Sequence, residues 1–313
     1  MSRPITYSLL VIVMILWGLN VVAVKFLVEH VPPIAMQSMR IFIAGMAAII
    51  VLYFLRDLRK LTKQEWAYIT FAALLGQLGH HALLAVGIME TTASNASLIL
   101  GLIPLTTVIL TMIFFKERLT WLRSLGITLG FVGVTIVVVQ GNGSVAGISR
   151  GDLFVFISMV LQALSFIVIK KVTATLSSKQ MTAVILLLGS LFLFSASLLF
   201  EPQGYSQLQE GTAFVWSIIV ISAVLATGLG HIFYNAAIQE IGAGQTAIFN
   251  NLVPFFSLIG AFFFLGEQIL FTQVIGFILI VTGVILGTGY MDMKRKDRQG
   301  NKKLQETKKH HSA

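Results

Sequence analysis

Six residues of the first half of this chain return in the second at one constant spacing of 150 residues (81 to 231, 90 to 240). His81, Glu90, Pro104, Glu117, Gly126 and Gly133 become His231, Glu240, Pro254, Glu267, Gly276 and Gly283. Apolar segments match one another cheaply through Leu, Ile and Val. A His, two Glu, a Pro and two Gly in register without a gap instead mark a tandem duplication. The start of each half corresponds as well, Met14 to Lys25 resembling Met159 to Lys170 at an offset of 145 (159 minus 14). The boundary falls near residue 145, inside the Gly- and Ser-rich segment from Gln140 to Gly151. This predicts a first repeat over 1–145, a second over 146–290, and a basic tail over 291–313 whose polar composition reads as disordered.

The solvent of this duplicated unit follows from its composition. With 56% apolar and 11% charged residues among 313, and a mean hydropathy of +0.88, the chain has too little polar surface to cover a soluble globule. Apolar runs of about 20 residues, the length that crosses a bilayer, number ten: 5–28, 34–55, 66–89, 93–115, 121–140, 151–172, 180–200, 213–239, 243–265 and 270–290. The first is longer than the apolar core of a signal peptide and lacks a small-x-small site, so it is expected to stay attached. The expected fold class is all-α, a polytopic membrane protein of ten helices. A net charge of +9 raises the question of nucleic acid, but the cations sit in short loops and the tail, so no nucleic-acid partner is expected. The absence of cysteine excludes disulfides and thiolate metal sites.

Orientation comes from those cations. With the N-terminus inside, nineteen of the 22 Lys and Arg residues fall in cytoplasmic segments, the pattern that cytoplasmic loops show. Lys25, Arg40 and Arg150 are left over. Both termini are then cytoplasmic. Five spans per copy is an odd number, so the second copy enters the membrane inverted, an arrangement associated with secondary transporters whose halves rock about a midplane site.

Polar residues within spans map the candidate site, because the bilayer makes them costly. His81 and His231 each lie about eight residues from an end of their span, roughly 12 Å deep at 1.5 Å per residue. Imidazole suits substrate binding or proton carriage, or plain hydrogen bonding between helices. His80 stands beside His81, Gln77 one turn before it, and Tyr234 and Asn235 one turn after His231. Pro104 and Pro254 fall in mid-span and are expected to kink their helices, freeing the carbonyls of Leu100 and Asn250. Asn250 and Asn251, with Gln245 and Thr246 nearby, make the second copy the wetter side, against Ser94, Asn95 and Ser97 in the first. Trp17 and Asn20 in mid-span read as cavity wall, and Arg40 as a snorkelling side chain or an anion contact. Glu117 and Glu267 read as caps for the following helix or partners of nearby cations.

No GxxxxGK[ST] motif, HExxH, GxSxG or paired carboxylate lies within a span, so no ATP hydrolysis, enzyme activity, metal or cofactor is expected. WGLN in the first span, RIFIAG in the second, and the paired stretches ASLILGLIPLTTVILTMIFFKERLT and TAIFNNLVPFFSLIGAFFFLGEQIL make the chain resemble EamA-type members of the drug/metabolite transporter superfamily. The resemblance implies a permease of the bacterial inner membrane, commonly an exporter of amino acids, other metabolites or drugs. It implies a cavity formed by Trp17, Asn20, His81, Asn95, Gln162, His231, Asn235, Asn250 and Asn251. The small-molecule substrate stays open, as do a lipid-linked-intermediate flippase and a non-transporting receptor or assembly subunit.

Overall fold

The computed structural model describes residues 3–55, 58–115, 120–140, 149–172, 175–241, 246 and 249–287. Glu117, Gln245, most of the linker between the halves and the basic tail lie outside them, as does the side chain of Asn235. Among the described residues the fold is helical without strands. The helices are α1 (Arg3–Val28), α2 (Pro33–Leu55), α3 (Lys63–Met89), α4 (Ala93–Leu100), α5 (Ile103–Phe115) and α6 (Trp121–Gln140), followed by α7 (Arg150–Val172), α8 (Ser178–Phe200), the short α9 (Gly204–Gln209), α10 (213–241), α11 (Leu252–Leu265) and α12 (Phe271–Gly287). Eight helical segments are long and apolar enough to cross a membrane, and α11 and α12 are shorter apolar helices.

The two copies share two irregularities at matched places, while among the described residues a further π-helical stretch at Ala261–Leu265 belongs to the second alone. α3 widens into a π-helical stretch at Leu74–Gly79, directly before His80 and His81, and α10 does so at Ser222–Leu229, directly before Gly230 and His231. Helix also breaks between Leu100 and Ile103 and around Asn250 and Asn251, so that Pro104 and Pro254 stand in the first turns of α5 and α11, where a missing N–H costs no hydrogen bond. The carbonyl of Asn250 takes the N–H of Val253 (3.0 Å) instead of the one that proline denies it.

Packing follows the duplication. α2 lies along α8 and α6 along α12, each helix on its own counterpart. α1 packs on α10 and α11, as α7 packs on α3, α4 and α5. The glycines that flagged the repeat explain the α6–α12 contact. A Cβ on Gly283 would stand 2.6 Å from the carbonyl of Gly126, and one on Gly133 2.8 Å from that of Gly276, so these backbones touch where only glycine fits.

Long-range hydrogen bonds fix which ends share a face. Glu201 at the end of α8 caps the start of α2, accepting from the N–H groups of Ile34 (2.9 Å) and Ala35 (2.8 Å). At the other end of the pair, the amide of Gln180 in the first turn of α8 donates to the carbonyl of Arg59 (2.6 Å), just beyond α2. α2 and α8 therefore run antiparallel. α1 ends where α7 begins: Lys25 donates to the carbonyl of Ile88 (3.0 Å) at the end of α3, and Thr91 just past it donates to Asp152 in α7 (2.6 Å). On the face of the α2–α3 loop, Arg59 pairs with Glu65 (2.5 Å) and donates to the carbonyl of Thr175 (2.7 Å). The Glu65 partner holds the Arg59 guanidinium above its ordinary pKa. Glu267 caps α4, far from it in sequence, rather than the helix that follows it: its oxygens accept from the N–H groups of Ala93 (2.7 Å) and Ser94 (3.1 Å).

Candidate functional site

Two polar clusters adjoin inside the bundle, and the π stretch of α10 supplies groups to both. A π turn hands its N–H groups to carbonyls five residues back and leaves others open to side chains. Trp17 of α1 donates its indole N–H to the carbonyl of Ala226 (2.8 Å), and His231 Nδ1 lies 2.8 Å from the carbonyl of Thr227, to which it donates. In the other copy Ser165 donates to the carbonyl of Ala72 (3.0 Å), next to the π stretch of α3. At the offset of 145, Trp17 and Asn20 correspond to Gln162 and Ser165 (17 to 162, 20 to 165). The same helix therefore meets the same irregularity twice, with different chemistry.

The first cluster is aromatic and amide-rich. The Trp17 ring stands 5.1 Å from that of His231 and 5.0 Å from that of Tyr234, centroid to centroid. The indole fills the place of a side chain on Gly230, whose Cβ would meet Trp17 Nε1 at 2.8 Å. The hydroxyl of Tyr234 accepts from Asn250 Nδ2 (3.0 Å). Asn250 Oδ1, Asn251 Nδ2 and Ser257 Oγ, all buried, have no hydrogen-bond partner among the described residues. Buried polar groups of this kind are expensive unless something polar visits them.

The second cluster is built on Arg40. It lies seven residues past the start of α2, about 10 Å along the axis, a depth from which a long side chain can snorkel. It does not: the residue is 1% exposed and its guanidinium turns inward. Nε and Nη2 both donate to Gln37 Oε1 (2.9 and 2.7 Å), one turn earlier in α2. Nη1 donates to Asn20 Oδ1 of α1 (3.3 Å) and to Ser222 Oγ (3.2 Å) and Thr227 Oγ1 (3.0 Å) of the α10 π stretch, and Nη2 lies 3.5 Å from His81 Nδ1 of α3. All these acceptors are neutral. No ion pair to Arg40 forms among the described residues. Thr227 joins the clusters, its hydroxyl on Arg40 and its carbonyl on His231.

The remaining candidates lie elsewhere. Asn95 accepts from Gln273 of α12 (2.9 Å), a contact between helices outside both clusters. His80 is held by Ser158 of α7, at 2.8 Å from its hydroxyl and 3.1 Å from its carbonyl, with its ring edge-on to His81. Gln162 lies against the π stretch of α3, 3.5 Å from where a Cβ on Gly76 would stand. Sequence reasoning passed over Gln37, Ser222 and Thr227. Gln37 carried the one legible signal, an i, i+3 pairing with Arg40. Among the described residues no group of three or more His, Asp or Glu is placed to hold a metal ion.

Comparison with known proteins shows the same duplication. The EamA-like transporter family matches the chain twice, over residues 4–139 and 149–288. An uncharacterized transporter of Bacillus subtilis (strain 168), YyaM, is 33% identical over 271 residues, covering 85% of this chain and 87% of that protein. A second from the same organism, YvbV, is 28% identical over 282 residues, 90% of each chain. In fold, the chain is similar to a protein solved by crystallography, with a TM-score of 0.68 at 18% identity over 92% of this chain and 97% of that one.

Proposed function

Because the chain belongs to the EamA-like transporter family and is a multi-pass membrane protein, we propose that it carries a small solute through the cytoplasmic membrane by alternating access, in the export direction that its family resemblance implies. The observation that carries this reading is the half-buried cluster of Trp17, His231, Tyr234 and Asn250, with Asn251 buried next to it in the chain. One of its residues comes from the first copy and the rest from the second, and it offers unpartnered amide groups deep inside a helical bundle. Aromatic walls and a few aimed polar groups are what small-molecule sites consist of.

In this reading the chain crosses the membrane ten times, as two inverted sets of five with both termini cytoplasmic. The antiparallel run of α2 and α8, which correspond in the two copies, supports it. Helix breaks at matched positions, beside Pro104 and Pro254, supply points about which α4–α5 and α11 can bend. The cluster is then exposed to one side and then the other while the α6–α12 and α2–α8 contacts persist.

The test is movement of solute. Proteoliposomes holding the purified protein are loaded with a pool of small metabolites, and the pool is followed by mass spectrometry. At least one compound should leave faster than from protein-free vesicles, and slower again with Asn250→Ala or Trp17→Ala. If no compound moves, or if both variants match the native protein, the proposal fails.

A further inference from the structure

Arg40 is a fixed positive charge whose neighbours solvate it without neutralising it. Its guanidinium reaches only amide, hydroxyl and imidazole groups, drawn from α1, α2, α3 and α10. A buried charge is normally paired, because desolvation costs more than neutral dipoles return. The bonding that holds Arg40 also spends a group beside it. Gln37 is fully buried, and its carbonyl oxygen takes two guanidinium N–H bonds. Its Nε2 is left without a partner among the described residues. A cation and an orphaned N–H donor on one turn of α2 form a donor set with no acceptor of matching charge.

This donor set is continuous with the aromatic cluster. Thr227 bonds Arg40 through its hydroxyl and His231 through its carbonyl, and Asn20, another Arg40 partner, lies one turn from Trp17 on α1. A solute whose body rests on Trp17, His231 and Tyr234 therefore has a guanidinium within reach of one end. No Asp or Glu belongs to either cluster among the described residues, so neither offers an ammonium group a partner of opposite charge, whereas Arg40 offers one to an anion.

We infer that Arg40 and Gln37 form the recognition site for the acidic group of the transported solute, which is an organic anion with an apolar body and carries no obligatory ammonium. This deepens the transporter reading and rests on it for the word transported; the binding assignment stands on the two clusters alone. The carboxylate would replace Asn20 and the two hydroxyls at Nη1 and take the free N–H of Gln37. Each of these is a charge-assisted bond.

The experiment compares matched probes on the purified full-length protein in lipid nanodiscs. Phenylacetate, phenylacetamide and phenethylammonium share one body and differ in charge, and hexanoate with hexanamide repeats the comparison without a ring. Binding is read by thermal stability and by tryptophan fluorescence. The carboxylates are expected to bind more tightly than their amide and ammonium counterparts by on the order of 10- to 100-fold, the size of one hydrogen bond to a charged group. R40Q is expected to erase that preference, and R40K to retain part of it. R40Q should remain folded, since it removes a buried charge and keeps a hydrogen-bonding side chain. Its unfolding temperature without probe checks this, and Gln37→Leu serves as a second variant that keeps the charge and removes both the amide donor and the oxygen on which Nε and Nη2 rest, so a preference for carboxylate should persist in it.

Equal binding of carboxylate and amide, or a carboxylate preference that persists in folded R40Q, overturns the inference. So does failure of every carboxylate to bind while an amide or ammonium probe binds, or failure of all five probes at millimolar concentration. A neutral or cationic probe that binds and is also moved by proteoliposomes would leave the transporter reading standing without this one. Carboxylate selectivity in a protein that moves no solute would do the reverse.

Discussion

Trp17 donates its indole N–H to the main-chain carbonyl of Ala226 at 2.8 Å, across 209 residues of sequence. The bond ties α1 of the first copy to the π stretch of α10 in the second. Trp17→Phe keeps a ring near His231 and Tyr234 but removes the donor, leaving a carbonyl unsatisfied within the bundle. The expected loss is about 1–2 kcal/mol, the scale of hydrogen bonds between membrane helices, read as a lower unfolding temperature in detergent. An unchanged temperature would mean that the π stretch does not depend on this bond.

The contact between α6 and α12 is set by glycine. Gly283→Ala places a Cβ 2.6 Å from both the Gly126 carbonyl and the Gly130 nitrogen, backbone atoms that cannot rotate away. Overpacking of this kind costs about 1–3 kcal/mol. Gly266 is the matched control. It adopts φ 68 with nothing within 4 Å of an added Cβ, so Gly266→Asn, a residue that tolerates left-handed backbone, should stay within about 0.5 kcal/mol of native. Thermal unfolding of the two variants side by side decides the point.

Glu267 caps α4 across the boundary between the copies, with both carboxylate oxygens on backbone N–H groups and one also accepting from the Ser94 hydroxyl (2.6 Å). Glu267→Gln keeps the shape and loses the charge that the helix start favours. About 1 kcal/mol is expected from that change and about 2 from Glu267→Ala, within the range for lost N-caps. Glu201 holds α2 in the same manner, so Glu201→Ala should match Glu267→Ala. If Glu267→Gln costs as much as Glu267→Ala, charge is not what the cap supplies.

Inverted copies predict a specific labelling pattern, and a chain without cysteine makes the measurement direct. Single cysteines at the exposed positions Glu90 and Gln203 should react with a membrane-impermeant thiol reagent added outside whole cells. Cysteines at Lys60 and Thr175 should react only after the membrane is opened. Glu90 and Gln203 labelled from opposite sides would contradict the arrangement.

The periodic parts of this architecture were legible in the sequence, because apolar runs, glycines and prolines act through backbone geometry that a linear pattern records. Gly126 and Gly283 stood out by repeating, and their contact explains why they repeat. The site was harder to read, since its meaning lies in partners distant along the chain. Arg40 sits at a depth that suits snorkelling, and only Ser222 and Thr227, 182 and 187 residues away, reveal that it turns inward. Asn95 looks like a cavity amide until Gln273, 178 residues on, is found to occupy its oxygen. The π stretches left no mark of their own, because a change from 3.6 to wider turns over six to eight residues does not disturb an already continuous apolar run.

Alternating access is tested most directly at Asn251, buried at 5% exposure in the candidate site. In the otherwise cysteine-free chain, Asn251→Cys reconstituted in vesicles is challenged with an impermeant thiol reagent from each side in turn, orientation being assigned from a second labelled position. Modification from both sides, at rates that a bound solute changes, is the predicted result. Reaction from one side alone, or from neither, would contradict the account.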